Sequence, residues 1–297
     1  MKSDLLSSSR AGTLVCDGAM GTQLFSRGLT PGECGMRWNE ERPADVEAVH
    51  SAYVQAGCRL ITTNSFGGTR SMLERHGFGD RVLDWNRRAA ALARSAAGAN
   101  GWVLGDVGPF GDFLEPLGDT TEEQLLEIFR EQIGALVEGG ADAILVETMS
   151  DPAEAALGVR AAKSVSALPV IVTFAFQKSA GEFRTMMGTP THEAIAAVLK
   201  AGADIVGANC GTDLSLDDYA ALAKELKAAA GTAPAILQPN AGAPKNTPDG
   251  IRYDATPEEM AAAALGLREA GISIIGGCCG TSPAHLAAMA RTIEANK

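Results

Sequence analysis

The stretch Ile272-Ser-Ile-Ile275 runs directly into Gly276-Gly-Cys-Cys-Gly280, and Thr281-Ser-Pro-Ala-His285 follows as a helix start. A short apolar run, a glycine-rich turn and a helix start together indicate one strand-to-helix unit. A second apolar run, residues 204–209, ends on Cys210, which is again followed at once by glycine. If both runs are strands of one sheet, three thiols meet at one edge of that sheet.

Similar apolar runs alternate with helical patterns along the whole chain, and no linker separates them. We predict strands at residues 13–17, 60–64, 102–106, 143–147, 169–176, 204–210, 235–238 and 272–275. Strands that are buried on both faces are continuously apolar, and such strands are typical of a parallel sheet. Eight units of this kind predict an α/β fold, a (β/α)8 TIM barrel, formed by residues 1–297 as one domain. Its functional residues are expected at the carboxyl ends of the strands.

Three connections are predicted to be loops. They are the polar segment 26–43, the glycine-bearing segment after the fifth strand, and the proline-marked segment between the seventh strand and Thr256. Long loops in compact domains are frequently lids or binding loops.

Composition and charge narrow the class of protein. The 297 residues are 46% hydrophobic and 5% aromatic, which is typical of a globular chain with a large core. A formal charge of −11 argues against nucleic acid or an anionic membrane as partner. We find no apolar run of about 18 residues and no signal-peptide core, so a cytoplasmic protein is expected. Six cysteines are too few for a disulfide scaffold and stay available as thiols.

The polar residues that end the predicted strands face one cavity in a barrel. They are Asp17, Asn64, Asp106, Glu147, Asn209, Cys210, Asn240, Cys278 and Cys279. A single carboxylate after a strand is as commonly a helix cap, so the prediction depends on their joint placement. Asn64, Asn209 and Asn240 are predicted to bind the substrate. Asp17 and Glu147 are predicted acceptors for a substrate ammonium group. The backbone amides of Gly18, Ala19 and Met20 are predicted to bind a carboxylate.

The paired cysteines leave three interpretations open: a metal site, a strained disulfide between neighbours, or two buried inert thiols. Three thiolates with one open position describe a zinc site that accepts a substrate ligand. Metal coordination deprotonates a thiol whose ordinary pKa is about 8.5. Such a site fits transfer of an alkyl group to sulfur better than hydrolysis. We predict Cys16 as a buried side chain and His285 as a helix-surface residue, neither of them a ligand.

Six segments carry a resemblance to a known family. They are Asp17-Gly-Ala-Met-Gly-Thr22, Thr63-Asn-Ser-Phe66, Val146-Glu-Thr148, Gly207-Ala-Asn-Cys-Gly211, Gln238-Pro-Asn-Ala-Gly242 and Gly276-Gly-Cys-Cys-Gly-Thr281. Together they resemble the homocysteine S-methyltransferase family. The resemblance implies a zinc-dependent barrel that methylates L-homocysteine to methionine. It makes Cys210, Cys278 and Cys279 the metal ligands and catalytic centre, with Asp17 and Glu147 binding the amino group.

Within the family, the chain resembles the homocysteine-binding module of cobalamin-dependent methionine synthase. Pro31-Gly-Glu-Cys34 and Pro239-Asn-Ala-Gly242 carry this similarity, which implies that Asn240 can fill the vacant zinc position. The chain ends after the barrel, so the methyl donor is expected to be methylcobalamin, free or on a separate corrinoid protein. Betaine or S-methylmethionine is the alternative. A betaine site needs an aromatic cage, and only Trp38 and Phe25 lie near the 26–43 segment.

The residue after Glu147 also argues against betaine as the methyl donor. It is Thr148 in this chain, whereas the betaine-dependent enzymes resemble one another in carrying tyrosine at that position. Two further function classes stay open. A phosphate-binding barrel enzyme would use the glycines before the last helix, and a non-catalytic zinc or thiol redox sensor would use the three cysteines alone.

Overall fold

A computed structural model describes residues 4–179, 181–247 and 250–296, and eight of its strands form one parallel sheet. The strands are β1 (Leu14–Val15), β2 (Leu60–Thr62), β3 (Trp102–Val107), β4 (Ala143–Met149), β5 (Val170–Phe174), β6 (Ile205–Asn209), β7 (Ala235–Gln238) and β8 (Ile274–Ile275).

The sheet closes on itself. Its hydrogen-bonded order is β1-β8-β7-β6-β5-β4-β3-β2, and a parallel bridge between Cys16 and Leu60 joins the two ends. Arg59 N donates to Val15 O at 2.8 Å, and Asp17 N donates to Leu60 O at 3.0 Å across the same seam. The predicted (β/α)8 barrel is therefore confirmed.

Helices surround the barrel. Their bounds are α1 (Leu5–Ala11), α2 (Gly21–Phe25), α3 (Trp38–Glu41), α4 (Pro43–Gln55), α5 (Arg70–Glu74), α6 (Val82–Ala97), α7 (Glu122–Glu138), α8 (Pro152–Val165), α9 (Thr191–Ala201), α10 (Leu216–Ala230), α11 (Pro257–Glu269) and α12 (Pro283–Ala295), with 3-10 turns at Gly35–Arg37 and Gly79–Arg81. Their apolar faces bury the outward side chains of the strands. Within the described ranges, no helix is long and apolar enough to cross a membrane.

The barrel interior is filled by inward side chains of the strands, two each from β3 and β4, together with Leu5 of α1. Its core cluster contains Leu5, Cys16, Leu60, Trp102, Leu104, Ala143, Leu145, Ile171, Ile205, Ile236 and Ile274. Because strand side chains alternate between faces, the next inward position toward the carboxyl end lies two residues on. Those positions are occupied by Thr62, Asp106, Glu147, Thr173 and Gln238, while on β6 the position is Gly207 and Asn209 lies one inward position further toward the mouth. An apolar interior therefore carries a polar layer at its mouth.

Two predicted loops are antiparallel hairpins. After β5, residues Phe176–Ser179 pair with Glu182–Thr185, and after β7, Lys245–Thr247 pair with Gly250–Arg252. The prediction that the fifth strand extends to Phe176 is wrong. Both Phe174 and Phe176 are buried, so the apolar run shows no sign of the break between them. The 26–43 segment is also partly helical, since it contains the first 3-10 turn and α3.

Candidate active site

Three sulfur atoms meet at the carboxyl end of the barrel. Cys210 directly follows β6, while Cys278 and Cys279 follow β8. Their Sγ atoms all lie within 4.8 Å of one another, and the Cys210 and Cys279 sulfurs are 4.0 Å apart. Sulfurs that share a tetrahedral zinc ion at about 2.3 Å are about 3.8 Å apart, so this spacing fits that ion.

The backbone at Cys210 is held in an unusual conformation. Cys210 has a φ of 52° and Gly211 a φ of 109°, both in the left-handed region. The Tyr219 hydroxyl donates a hydrogen bond to Cys210 O and accepts one from Asn240 N at 3.3 Å. A strained non-glycine residue that a buried tyrosine fixes in place is typical of a functional site.

Glycines let the chain turn tightly at the paired cysteines. A Cβ atom at Gly276 would lie 2.8 Å from Asp17 O, and one at Gly277 would lie 2.6 Å from Thr281 Oγ1. Gly280 has a φ of 79° and packs against Tyr253, whose Cβ would lie 2.3 Å from an added Cβ. The turn brings both cysteines to the same side, where their sulfurs join that of Cys210.

The three thiols share protons. The pKa of Cys210 is lowered to about 3, chiefly because Cys278 and Cys279 donate hydrogen bonds to its sulfur. Those hydrogen bonds and burial raise the pKa of Cys278 far above its usual range and that of Cys279 to about 11. The cluster therefore favours loss of a proton from one of its sulfurs, with Cys210 the most stabilised as a thiolate. A divalent cation suits this set because metal binding displaces the remaining protons.

Asn209 connects the cysteines to β4. Its Nδ2 donates to Thr148 Oγ1 at 2.7 Å and lies 3.7 Å from Cys278 Sγ. Its Oδ1 accepts from Thr173 Oγ1 at 2.8 Å and from Thr148 N at 3.1 Å. Both polar atoms of this side chain make contacts, so Asn209 holds β4, β5 and the Cys278 turn together at the barrel mouth.

The end of β4 is irregular at the point where Glu147 stands. Its pairing with β5 shifts register between Val146 and Met149, and Thr148 has a φ of 59°. A bulge of this kind re-aims a side chain and is common beside active sites. The irregularity lies next to Glu147, at the mouth of the barrel.

Asp17 is held by the neighbouring strand. Its two carboxylate oxygens accept from Thr62 N and Thr62 Oγ1, both at 2.8 Å, and Cys16 Sγ lies 3.4 Å from Oδ1. Burial raises the pKa of Asp17 to about 7, against the opposing effect of the Thr62 hydrogen bonds.

The other two carboxyl groups have less support: the backbone of Val107 donates to the Asp106 carboxyl, and Glu147 has no comparable hydrogen bond among the causes of its pKa shift. Burial, followed by the charges of Asp17 and Cys210, raises the pKa of Glu147 to about 8. Burial and the charges of Glu147 and Asp17 raise the pKa of Asp106 well above its usual value. Among the described residues, no salt bridge involves Asp17, Asp106 or Glu147. The arrangement therefore favours a cationic ligand.

The predicted carboxylate-binding segment follows β1. Ala19 N donates to Thr281 Oγ1 at 3.1 Å, and Ala19 O accepts from Tyr53. Gly18 packs against the side chain of Thr281, and Met20 is the N-cap of α2. The segment is thus fixed beside the turn that carries Cys278 and Cys279.

The two remaining predicted site residues differ in their surroundings. Asn64 Nδ2 donates to Gly35 O and to Asn39 Oδ1, both at 3.0 Å, so this side chain fastens the 26–43 segment. Asn240 is buried beside Cys210, where it contributes to the lowered pKa of the thiol. Within the described residues, Asn240 Oδ1 has no hydrogen-bond partner.

Cys16 and His285 are not part of the sulfur cluster. Cys16 is fully buried in the barrel. His285 Nδ1 accepts from Ser282 N at 3.1 Å, and Nε2 lies 2.9 Å from Ala255 O. The histidine therefore fastens the start of α12 instead of lying free on its surface.

Several supporting residues were not predicted. Thr62 and Thr173 lie two residues beyond inward-facing Leu60 and Ile171, so the two-residue period could have identified them. Tyr219 and Tyr253 reach the cysteines from a helix and from the end of a hairpin, and nothing in the local pattern indicates that.

The fold and the site define a barrel enzyme with a three-cysteine centre at the carboxyl ends of its strands. The chain belongs to the homocysteine S-methyltransferase family, whose model matches residues 14–293.

Comparison with known proteins agrees with this assignment. The chain is 35% identical to a methionine synthase of Mycobacterium tuberculosis and 34% identical to one of Mycobacterium leprae, over 98% of the chain. It spans 25% of the length of each relative. The oxidized form of the homocysteine methyltransferase MmuM from Escherichia coli shares the fold, with a TM-score of 0.77 at 23% identity and 96% of both chains covered. Its metallated form gives a TM-score of 0.76 at 24% identity, over 94% of this chain and 96% of that one.

Proposed function

We propose that the chain is a zinc-dependent methyltransferase that converts L-homocysteine to methionine, with residues 1–297 as one homocysteine-binding domain. The observation that carries the proposal is the cluster of three sulfurs within 4.8 Å at the mouth of a barrel of this family. Cys210, Cys278 and Cys279 are the proposed ligands. A metallated form of a structural relative supports a metal in this fold.

The donor set fits zinc because three thiolates leave one position for the substrate sulfur. Zinc bound there would lower the pKa of that thiol and keep it as a thiolate near neutral pH. Methyl transfer then forms the bond between sulfur and the methyl carbon and breaks the bond between that carbon and the donor. The electron pair of the broken bond stays with the donor.

The chain's own residues orient the substrate. Glu147 and Asp17 are proposed acceptors for the ammonium group, and the backbone amides of Gly18, Ala19 and Met20 are proposed donors to the carboxylate, which would share the Ala19 amide with Thr281 Oγ1. Asn240 has an open Oδ1 beside Cys210, which suits it to the position that the substrate sulfur takes over. Asn209 and Asn64 contribute by holding the surrounding segments in place.

The methyl donor is proposed to be methylcobalamin, free or carried by a separate corrinoid protein. The 35% identity to methionine synthase over 98% of this chain supports this choice. Thr148 supports it as well, since its hydroxyl is engaged by Asn209 and offers no aromatic face to a quaternary ammonium. The similarity in fold to a homocysteine methyltransferase keeps betaine and S-methylmethionine as the alternative donors.

The test is to incubate the purified protein with L-homocysteine and each donor separately and to measure methionine. We expect methionine from methylcobalamin and none from Cys210→Ala under the same conditions. Turnover with betaine or S-methylmethionine and none with methylcobalamin would show that the proposed donor is wrong. The proposed role of homocysteine as the methyl acceptor would still hold. Absence of methionine with every donor, candidate corrinoid proteins included, would contradict the proposed function.

A further inference from the structure

Asp106 is a buried carboxyl group that the proposed function leaves without a role. It occupies the inward-facing position two residues beyond Leu104, and the residue is 3% exposed. Its backbone is fixed, since Asp106 N donates to Thr63 Oγ1 at 2.9 Å and Asp106 O accepts from Ser65 Oγ at 2.7 Å. Its Oδ1, however, has no hydrogen-bond partner among the residues that the structure describes.

This open acceptor distinguishes Asp106 from Asp17. Both oxygens of Asp17 already accept hydrogen bonds from Thr62 at 2.8 Å. A buried acceptor without a partner lowers the stability of the folded protein, and the loss is greater when the acceptor is charged. A ligand that donates a hydrogen bond to this oxygen would remove that loss.

Glu147 is the nearest inward-facing carboxyl group on the neighbouring strand. Asp106 is in register with Leu145 across the β3–β4 pair, so Glu147 stands one inward position further toward the mouth. Neighbouring parallel strands lie about 4.8 Å apart and two residues add about 6.6 Å along the strand, so the two backbone positions are about 8 Å apart. One small cation between the two side chains can span that separation. The interaction between the two carboxyl groups and their shared burial raises the pKa of both.

No cationic side chain of the barrel interior neutralises this pair. The polar residues around the pair, Thr62, Thr173, Gln238 and, further toward the mouth, Asn209, are uncharged, and the third carboxyl group there, Asp17, adds negative charge. None of the salt bridges among the described residues includes Asp106 or Glu147. A ligand cation with several hydrogen-bond donors would satisfy both, and an ammonium group offers three donors.

We propose that Asp106 binds the substrate's ammonium group together with Glu147 and thereby selects amino-acid thiols over simple thiols. This inference rests on the proposed function, because it assigns Asp106 to the homocysteine site. Asp106 accepts one ammonium hydrogen through Oδ1, and Glu147 accepts another. A thiol that lacks the amino group leaves Oδ1 without a partner, so it binds more weakly.

The test compares the binding of two ligands by calorimetry with the zinc-loaded protein. L-Homocysteine carries the ammonium group, whereas 4-mercaptobutyrate has the same chain, thiol and carboxylate without it. Asp106→Asn keeps the shape of the side chain and removes its charge. We expect this variant to bind L-homocysteine about 10- to 100-fold more weakly, the range for a hydrogen bond to a charged group. Binding of 4-mercaptobutyrate should change less than about twofold, a small effect on the same scale.

Asp119→Asn is the matched control, because Asp119 is exposed on the connection that follows β3. It should leave both affinities unchanged. If Asp106→Asn does not fold, Asp106→Ser removes the carboxylate with less volume and should show the same loss of selectivity. Equal weakening of both ligands, or no weakening of L-homocysteine, would overturn the role of Asp106 alone. Failure of the wild-type protein to bind either thiol would overturn the proposed function as well.

Discussion

The side-chain amide of Asn209 donates a hydrogen bond to Thr148 Oγ1 at 2.7 Å, although 61 residues separate the two positions. This contact joins the end of β6 to the irregular end of β4. The same amide lies 3.7 Å from Cys278 Sγ, so one side chain touches the sulfur cluster and the segment that carries Glu147.

Asn209→Ala should therefore weaken zinc binding without removing a ligand. Loss of a residue that orients metal ligands typically lowers metal affinity about 10- to 100-fold. Competition with a chromophoric chelator measures this affinity directly. Asn100→Ala is the control. Asn100 is exposed just before β3, at the end of the strand away from the cysteines, so this variant should bind zinc as the wild type does. Unchanged affinity in Asn209→Ala would show that the Asn209 contacts do not support the cluster.

Gly280 should tolerate no side chain. Its φ of 79° costs a non-glycine residue about 1–2 kcal/mol, and a Cβ would also lie 2.3 Å from the Tyr253 Cβ. Gly188 has a similar φ of 84° but open space around it. Chemical denaturation should give a greater loss of stability for Gly280→Ala than for Gly188→Ala, and only the former should lower zinc content. Equal effects would mean that the contact with Tyr253 is unimportant.

The buried carboxyl groups predict how stability depends on pH. Burial raises the pKa of Glu147 from its usual 4.5 to about 8, so the folded protein holds a proton that the unfolded chain has lost between these values. Stability must then fall as pH rises from about 4.5 to 8, by at most about 1.4 kcal/mol per pH unit for this group.

Glu147→Gln removes that titration. Urea unfolding of the zinc-free protein at pH 5 and at pH 8 should show the variant losing less stability than the wild type over this interval. Parallel pH dependences for the two proteins would contradict the assignment of a raised pKa to Glu147.

The cysteine assignment predicts the metal content. Elemental analysis should find one zinc per chain in the purified protein. Cys210→Ala should lose zinc on dialysis against a weak chelator, because two thiolates remain of the three proposed ligands. Cys34→Ala should keep its zinc, since Cys34 is buried with Met36, Leu73 and Trp85 away from the cluster. Full retention of zinc by Cys210→Ala would place the metal elsewhere.

The fold was predictable because the eight barrel strands are continuously apolar and regularly spaced. The hairpin after β5 was not, since Phe174 and Phe176 are equally apolar although the sheet ends between them. An apolar run indicates only that a segment is buried. It does not show whether the segment is a strand of the barrel or a strand of a hairpin that packs on the barrel.

The candidate site also has features that the local sequence predicts and features that only the tertiary structure shows. Cysteines flanked by glycines indicate a metal site from local sequence alone. The roles of Asp17 and Asp106 depend instead on whether a neighbouring strand supplies hydrogen-bond donors, as Thr62 does for Asp17. Tyr219 reaches Cys210 through the packing of α10 on β6. Such contacts arise from tertiary structure and leave no periodic signal in the chain.

In the proposed mechanism, three cysteines hold a zinc ion whose remaining position takes the substrate thiol. X-ray absorption at the zinc edge counts the sulfur ligands directly. We predict three sulfurs in the purified protein and four after addition of saturating L-homocysteine, with no change on addition of L-homoserine, which has a hydroxyl in place of the thiol. A zinc shell that keeps the same sulfur count with L-homocysteine bound would contradict the claim.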